Sequence, residues 1–135
     1  MTQPSFLAAS LLVAVGGAVG AWLRFVVNAV FASTLGVERA GLFPWATLSA
    51  NVLGSFAMGM LAGWLARQGG GNDATRLLLG VGLLGGFTTF SAFSLEIVTL
   101  AQRGAFGLAA IYAFVSLAAG LAGLLAGLAL MRAAT

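Results

Sequence analysis

The chain has 135 residues, of which 61% are hydrophobic and only 7% carry a charge. A soluble domain usually carries about a quarter charged residues, so this composition leaves too little polar surface to face water. The six basic residues are scattered arginines, which form no basic patch, and the chain lacks His and Cys. The composition therefore predicts an all-α integral membrane protein, without disulfides and with no nucleic-acid partner.

Four apolar stretches have the length that a membrane-spanning helix needs, which is about 20 residues. They run from about Ser5 to Phe31, from Pro44 to Ala66, from Leu77 to Ala101 and from Ala105 to Met131. No positive region precedes the first stretch, so we expect a first membrane helix and not a cleaved signal peptide. The polar segments between the stretches are short, so residues 1–135 are predicted to form a single four-helix transmembrane domain.

The arginines give no instruction about orientation, which normally follows an excess of Arg and Lys in cytoplasmic loops. Arg67, Arg76 and Arg132 fall on the side of the N-terminus, and Arg39 and Arg103 fall on the other side, together with Arg24 if it lies near that end. The even count fits a wrong placement of Arg24, or an excess that is too small to see in six residues. It also fits dual topology, in which copies insert both ways and pair antiparallel.

Glycines recur at a spacing of four in several stretches, as at Gly16 and Gly20 or at Gly123 and Gly127. Such small faces let the backbones of membrane helices approach closely. We interpret these glycines as packing seams without chemistry of their own. A four-helix chain with several small faces is also expected to pack against another copy.

The third stretch differs from the others because glycines crowd into it before two adjacent threonines, Thr88 and Thr89. Paired glycines and β-branched residues form helices poorly, so we expect a break between Gly85 and Thr89. Non-helical backbone at membrane depth must be surrounded by protein or by a water-filled cavity, and its freed carbonyls need partners. Those partners are either neighbouring Ser and Thr side chains or a cation.

Two phenylalanines follow the break. Phe90 and Phe93 are three apart and share a helical face, interleaved with the hydroxyls of Ser91 and Ser94. The edge of an aromatic ring is positive, so two ring edges with hydroxyl donors nearby can hold a small anion. Phe pairs in membrane helices usually face lipid or pack, which is the alternative interpretation. Glu96 follows near the end of the stretch and is either a functional group or a helix-end marker.

Donor side chains also occur in the other three stretches. They are Thr47, Asn51 and Ser55 in the second, Tyr112 and Ser116 in the fourth, and Arg24 with Asn28 in the first, spaced by four within each stretch. Apart from Glu96, no polar side chain at membrane depth is negative. This inventory favours a path for an anion over a path for a cation.

The segments GGFTTFSAFSLE (85–96), NVLGSF (51–56) and GAVGAWLRF around Arg24 together resemble the Fluc (CrcB-type) fluoride channel family. With the chain length and the four-span layout, the resemblance covers essentially the whole chain. It implies a fluoride-specific channel that exports fluoride passively across the bacterial plasma (inner) membrane and so relieves fluoride toxicity. It also implies an antiparallel, dual-topology homodimer with two pores.

The resemblance implies roles for individual residues. The implied fluoride path contains Asn51, Phe90, Phe93, Ser91, Thr47, Tyr112 and Ser116, with Arg24 at an aqueous vestibule. The backbone carbonyls of Gly85 and Thr88 would hold a structural sodium ion (Na⁺) that is not transported. The chain departs from the family pattern at Ala92, where members often have Thr, and at Gly120, where the hydroxyl track of the fourth helix often continues. Both departures leave fewer donors along the path.

Three other classes of function fit the sequence less well. A small four-span exporter of organic cations needs an acid deep in its first helix, where this chain has Arg24 and no acid. A membrane enzyme would have almost no groups for acid–base or metal chemistry, since the chain has three acids, no His and no Cys. A structural membrane subunit is disfavoured by the family resemblance alone.

Overall fold

The computed structural model describes residues 4–36, 41–68 and 73–133, and these residues are helical or lie in short turns. Four helices are long and apolar enough to cross a membrane: α1 (Phe6–Leu35), α2 (Trp45–Arg67), α3 (Asp73–Gln102) and α4 (Phe106–Ala133). The four predicted spans are confirmed, with boundaries that shift by a few residues. Glu38 and Arg39, which the sequence places in the first polar loop, lie outside the described residues.

Helix α1 continues beyond its predicted end, as far as Leu35. The hydroxyls of Ser33 and Thr34 both donate to the carbonyl of Val30, at 2.9 and 2.8 Å, so these polar side chains are satisfied within the helix. The helix ends at Gly36, whose φ of 76° is a conformation that glycine adopts readily. The polar residues Ser33 and Thr34 therefore do not end the helix. It ends at Gly36 instead.

Helix α3 is interrupted, as predicted, and Gly85 and Gly86 themselves stay helical. Its first part, residues 73–87, contains the π-helical segment Arg76–Leu84 and a last helical turn, Gly85–Phe87. Thr88 (ψ 156°) and Thr89 (φ −150°, ψ 124°) are extended, and the helix resumes at Phe90–Gln102. We call the two parts α3a (73–87) and α3b (Phe90–Gln102). The break lies at the C-terminal end of the predicted range.

The recurring glycines join helices within the chain. Helix α1 packs along α3a, and α2 packs along α4. A Cβ atom on Gly82 would lie 2.9 Å from the Cα of Gly16, and one on Gly127 would lie 2.9 Å from the backbone nitrogen of Met60. Neither position has room for a side chain, so these seams depend on glycine. The expected role of the small residues in close helix packing is confirmed at both seams.

The outer faces of the helices are apolar. Large side chains such as Phe6, Trp22 and Phe114 are mostly exposed on the single chain. The buried hydrophobic cluster is small by comparison and centres on Phe93 and Tyr112. An apolar exterior around a small core is the distribution expected for a chain whose solvent is lipid.

Candidate functional site

The break in α3 is held by one side chain of α2. The Asn51 amide nitrogen donates to the carbonyl of Thr89 at 3.0 Å, and the Thr89 N–H donates to Asn51 Oδ1 at 2.8 Å. The side-chain amide thus pairs with the extended backbone as a neighbouring strand would. One N–H of the Asn51 amide is left over, because an amide nitrogen carries two donors.

The carbonyls of Gly85 and Thr88, which are expected to hold sodium, do not accept the hydrogen bonds that a regular helix would give them. In an uninterrupted helix the Gly85 carbonyl accepts from the N–H of residue 89, which here bonds to Asn51. Likewise, the Thr88 carbonyl would accept from the Ala92 N–H, which here caps α3b by donating to Thr89 Oγ1 at 3.2 Å. The local backbone therefore fits the predicted ligand set, since both carbonyl oxygens lose the donors that a helix would give them.

A groove runs beside the break, between α2, α3b and α4. The groove has a volume of about 230 Å³ and is lined by Asn51, Ser55, Phe90, Phe93, Ser116, Leu117, Gly120, Leu121 and Leu124. The structure therefore brings together four of the residues predicted for the fluoride path, namely Asn51, Phe90, Phe93 and Ser116. A second cavity lies against Thr88 and Thr89 of the break and shares four lining residues with this groove, namely Asn51, Ser55, Phe90 and Leu124.

The two phenylalanines touch but differ in burial. Their ring centroids are 5.7 Å apart and the ring planes are inclined by 44°. Phe93 is 7% exposed and packs on Tyr112, with ring centroids 5.3 Å apart, whereas Phe90 is 76% exposed on the single chain. The predicted shared face exists, with one ring fixed in the core and the other at the open side of the groove.

Glu96 accepts hydrogen bonds from two of the side chains predicted to be donors on the fluoride path. Thr47 Oγ1 donates to Glu96 Oε1 and the Tyr112 hydroxyl donates to Glu96 Oε2, each at 2.6 Å. Both donor residues are buried, and Phe43 packs edge-on against the Tyr112 ring with centroids 5.4 Å apart. The role of Glu96 was left open by the sequence. The polar positions of α2 and α4 at the same depth were the available signal that it has partners.

Ser91 and Arg24 lie apart from the groove. The Ser91 hydroxyl is 3.2 Å from Thr89 Oγ1 on the exposed side of the break. Arg24 lies on α1, and its carbonyl accepts from Asn28 Nδ2 at 2.9 Å. The Nε of Arg24 is buried and has no hydrogen-bond partner among the described residues. Neither residue lines the groove in the single chain, and their expected roles stay predictions.

The comparisons with known proteins agree with the resemblance seen in the motifs. The family model described as "CrcB-like protein, Camphor Resistance (CrcB)" matches residues 11–128. A protein of Novosphingobium aromaticivorans named "Fluoride-specific ion channel FluC" is 55% identical, over 93% of this chain and 98% of its own length. Proteins with the same name from Rhodopseudomonas palustris and Methylobacterium nodulans are 50% and 51% identical, over 93% and 91% of this chain and 98% and 95% of their own lengths. With four membrane-spanning helices and a matching model over most of its length, the chain belongs to the CrcB-like family.

Proposed function

We propose that this chain is a fluoride-specific channel, which lets fluoride leave the cell passively. The observation that carries the proposal is the groove in which Asn51, Phe93 and Ser116 meet. The groove offers donors and ring edges but no cationic side chain among its lining residues. The names of the relatives, which are fluoride-specific ion channels, support the same function.

The proposed mechanism replaces the water around fluoride with weak donors. Fluoride is small and strongly hydrated, so a pore must offer substitutes without binding the ion too tightly to release it. The free N–H of Asn51, the hydroxyl of Ser116 and the positive edges of Phe90 and Phe93 are such substitutes. A fixed Lys or Arg at the same place would trap the ion, because charge attraction is strong away from water.

The direction of transport follows from the membrane potential. A potential that is negative inside drives an anion outward by about 2.3 kcal/mol per charge for every 100 mV. Fluoride export therefore needs no ATP, in accord with a chain that has no phosphate-binding loop motif.

The hydroxyls that bond to Glu96 form a second proposed site on the fluoride path. The hydroxyls of Thr47 and Tyr112 both donate hydrogen bonds to the Glu96 carboxylate, so neither is available to an anion in this arrangement. We infer that they serve fluoride only when they turn away from Glu96. In this proposal the Glu96 carboxylate orients the hydroxyls of Thr47 and Tyr112 while no ion is present. Both hydroxyls bond to the carboxylate again after the ion has passed.

We further propose that two antiparallel copies complete the path. Phe90 is largely exposed on the single chain, so the groove needs another surface to close it. The arginines at the two ends are compatible with either orientation. At one end Arg67 donates to the Met131 carbonyl at 3.0 Å, and at the other Arg103 donates to the Gly41 carbonyl at 3.0 Å. Each end of the bundle thus has an arginine that holds neighbouring segments together.

The carbonyls of Gly85 and Thr88 are the proposed sodium ligands. Sodium would supply positive charge to backbone oxygens that have lost their helical donors. The ion would stabilise the break and take no part in transport. The fit rests on backbone atoms, so it needs no acidic side chain at this depth.

Fluoride release from liposomes that contain only the purified protein tests the proposed function. Liposomes loaded with potassium fluoride are diluted into fluoride-free medium, valinomycin sets the potassium permeability, and a fluoride electrode follows the release. We expect rapid release of fluoride and none of chloride, relative to protein-free liposomes. Fluoride release at the protein-free rate would refute the proposal. Transport of an organic cation instead would favour the rival exporter, although α1 (Phe6–Leu35) contains no acid.

A further inference from the structure

The stripe of hydroxyls on α4 stops at a glycine. Tyr112 and Ser116 are four apart, and both are buried on the face of α4 that packs inside the chain. The next position on the same face is Gly120, which lines the groove with Ser116 but has no side chain to donate. An anion that follows this face would lose its donor one turn beyond Ser116.

A serine of α2 occupies the space that Gly120 leaves. A Cβ atom built on Gly120 would lie 3.6 Å from Ser55 Oγ, and the hydroxyl is its only neighbour outside α4 within 4 Å among the described residues. Ser55 is one turn from Asn51 on the same face of α2. Ser55 also lines both the groove and the second cavity beside the break. The hydroxyl therefore stands at the level where α4 has none.

The Ser55 hydroxyl is also not committed to its own helix. Several hydroxyls elsewhere in the bundle donate to a carbonyl one turn back, as Ser10 does to Phe6 at 2.8 Å and Ser94 does to Phe90 at 2.9 Å. Ser55 forms no hydrogen bond with any residue that the structure describes. A helical serine in an apolar bundle that makes no bond to its helix keeps its proton for a ligand or for water.

From this geometry we propose that Ser55 supplies, from α2, the anion donor that α4 lacks at Gly120. The donors along the groove then pass from Ser116 on α4 to Ser55 on α2, with Asn51 one turn further along α2. The inference rests on the proposed fluoride path and adds a residue to it. It also explains how the chain tolerates glycine at position 120.

The test moves the hydroxyl between the two helices and measures fluoride release from liposomes. Ser55→Ala should slow release by about tenfold or more, the size expected for losing one hydrogen bond to an anion. The double variant Ser55→Ala with Gly120→Ser should recover most of the rate, because the new Cβ meets only the position of the removed hydroxyl. Ser49→Ala is the matched control, since Ser49 lies on α2 outside the groove, and its release should equal that of the unaltered chain.

The outcomes separate this inference from the proposed function. No fluoride release from the unaltered protein would overturn both. Normal release through the Ser55→Ala variant would overturn the role of Ser55 alone. Slow release that Gly120→Ser fails to restore, in a variant whose assembly and thermal stability match those of the unaltered protein, would also overturn it, because the defect would then not come from a missing hydroxyl.

Discussion

Replacement of Asn51 by alanine should weaken the protein as well as the channel. The change removes both hydrogen bonds to Thr89, of 3.0 and 2.8 Å, and leaves the N–H and C=O of that residue without their partner. Each hydrogen bond of this kind inside a membrane bundle is worth roughly 0.6 to 1.7 kcal/mol. Two bonds therefore predict a loss of about 1 to 3 kcal/mol in the free energy of unfolding.

Leu53→Ala is a control of equal size. Leucine and asparagine side chains have the same number of heavy atoms, and Leu53 lies on the same helix with 58% of its surface exposed. Its truncation exchanges one apolar contact for another and should cost little. Unfolding of both variants by a denaturing detergent in mixed micelles, followed by far-UV circular dichroism, gives the two free energies on one scale.

The comparison can refute the role given to Asn51. Equal stabilities for the Asn51→Ala and Leu53→Ala variants would mean that the break does not depend on the amide. Fluoride release provides a second readout, which should fall severely for Asn51→Ala and stay unchanged for Leu53→Ala. A stable Asn51 variant that no longer conducts would show that the residue serves the path alone.

Three further predictions concern the rings, the assembly and the ion. Phe90→Ile and Phe93→Ile keep bulk but remove the positive ring edge, so fluoride release should drop severely while assembly persists; full release in both variants would mean that the rings only pack. The chain contains no Cys, so Gln68→Cys at the end of α2 gives a single labelling site. An impermeant thiol reagent should reach this site from both sides of intact membranes, and labelling from one side alone would exclude dual topology. Exchange of Na⁺ for a large organic cation should lower fluoride release and dimer stability through loss of the ion at Gly85 and Thr88; indifference of both to prolonged exchange would refute the sodium site.

The sequence was sufficient for the four spans because span length depends on local composition alone. An apolar run of about 20 residues needs no knowledge of its neighbours to be recognised. The end of α1 was misjudged because Ser33 and Thr34 were read as a polar loop. Their hydroxyls donate to the carbonyl of Val30 within the helix. A count of polar residues along the sequence does not consider such bonds.

The position of the break required tertiary information. Helix propensity marked the whole range from Gly85 to Thr89, but within it Gly85 and Gly86 stay helical. The residues that leave the helix are Thr88 and Thr89, because an amide on α2 captures the N–H of Thr89. Propensity measures what a segment does alone, and here a partner from another helix decided the outcome.

The partners of Glu96 were also beyond the sequence. Thr47 is 49 positions away and Tyr112 is 16 positions away, so nothing local links them to the carboxylate. The sequence did supply the periodic polar face of α2 and that of α4. Which faces meet, and that an acid stands between them, depends on the packing of α2 along α4 and of α3b against α4.

The break and the groove are consequences of one local rearrangement. When Thr89 donates its N–H to Asn51 and its hydroxyl oxygen accepts from the Ala92 N–H, the carbonyls of Gly85 and Thr88 lose their donors. The same step starts a new helix at Phe90 and turns that ring toward the groove. Carbonyl oxygens and ring edges have opposite polarity, so a single interruption creates one surface suited to a cation and another suited to an anion. Asn51 contacts the interruption and lines the groove, which is why its removal should affect the two sites together.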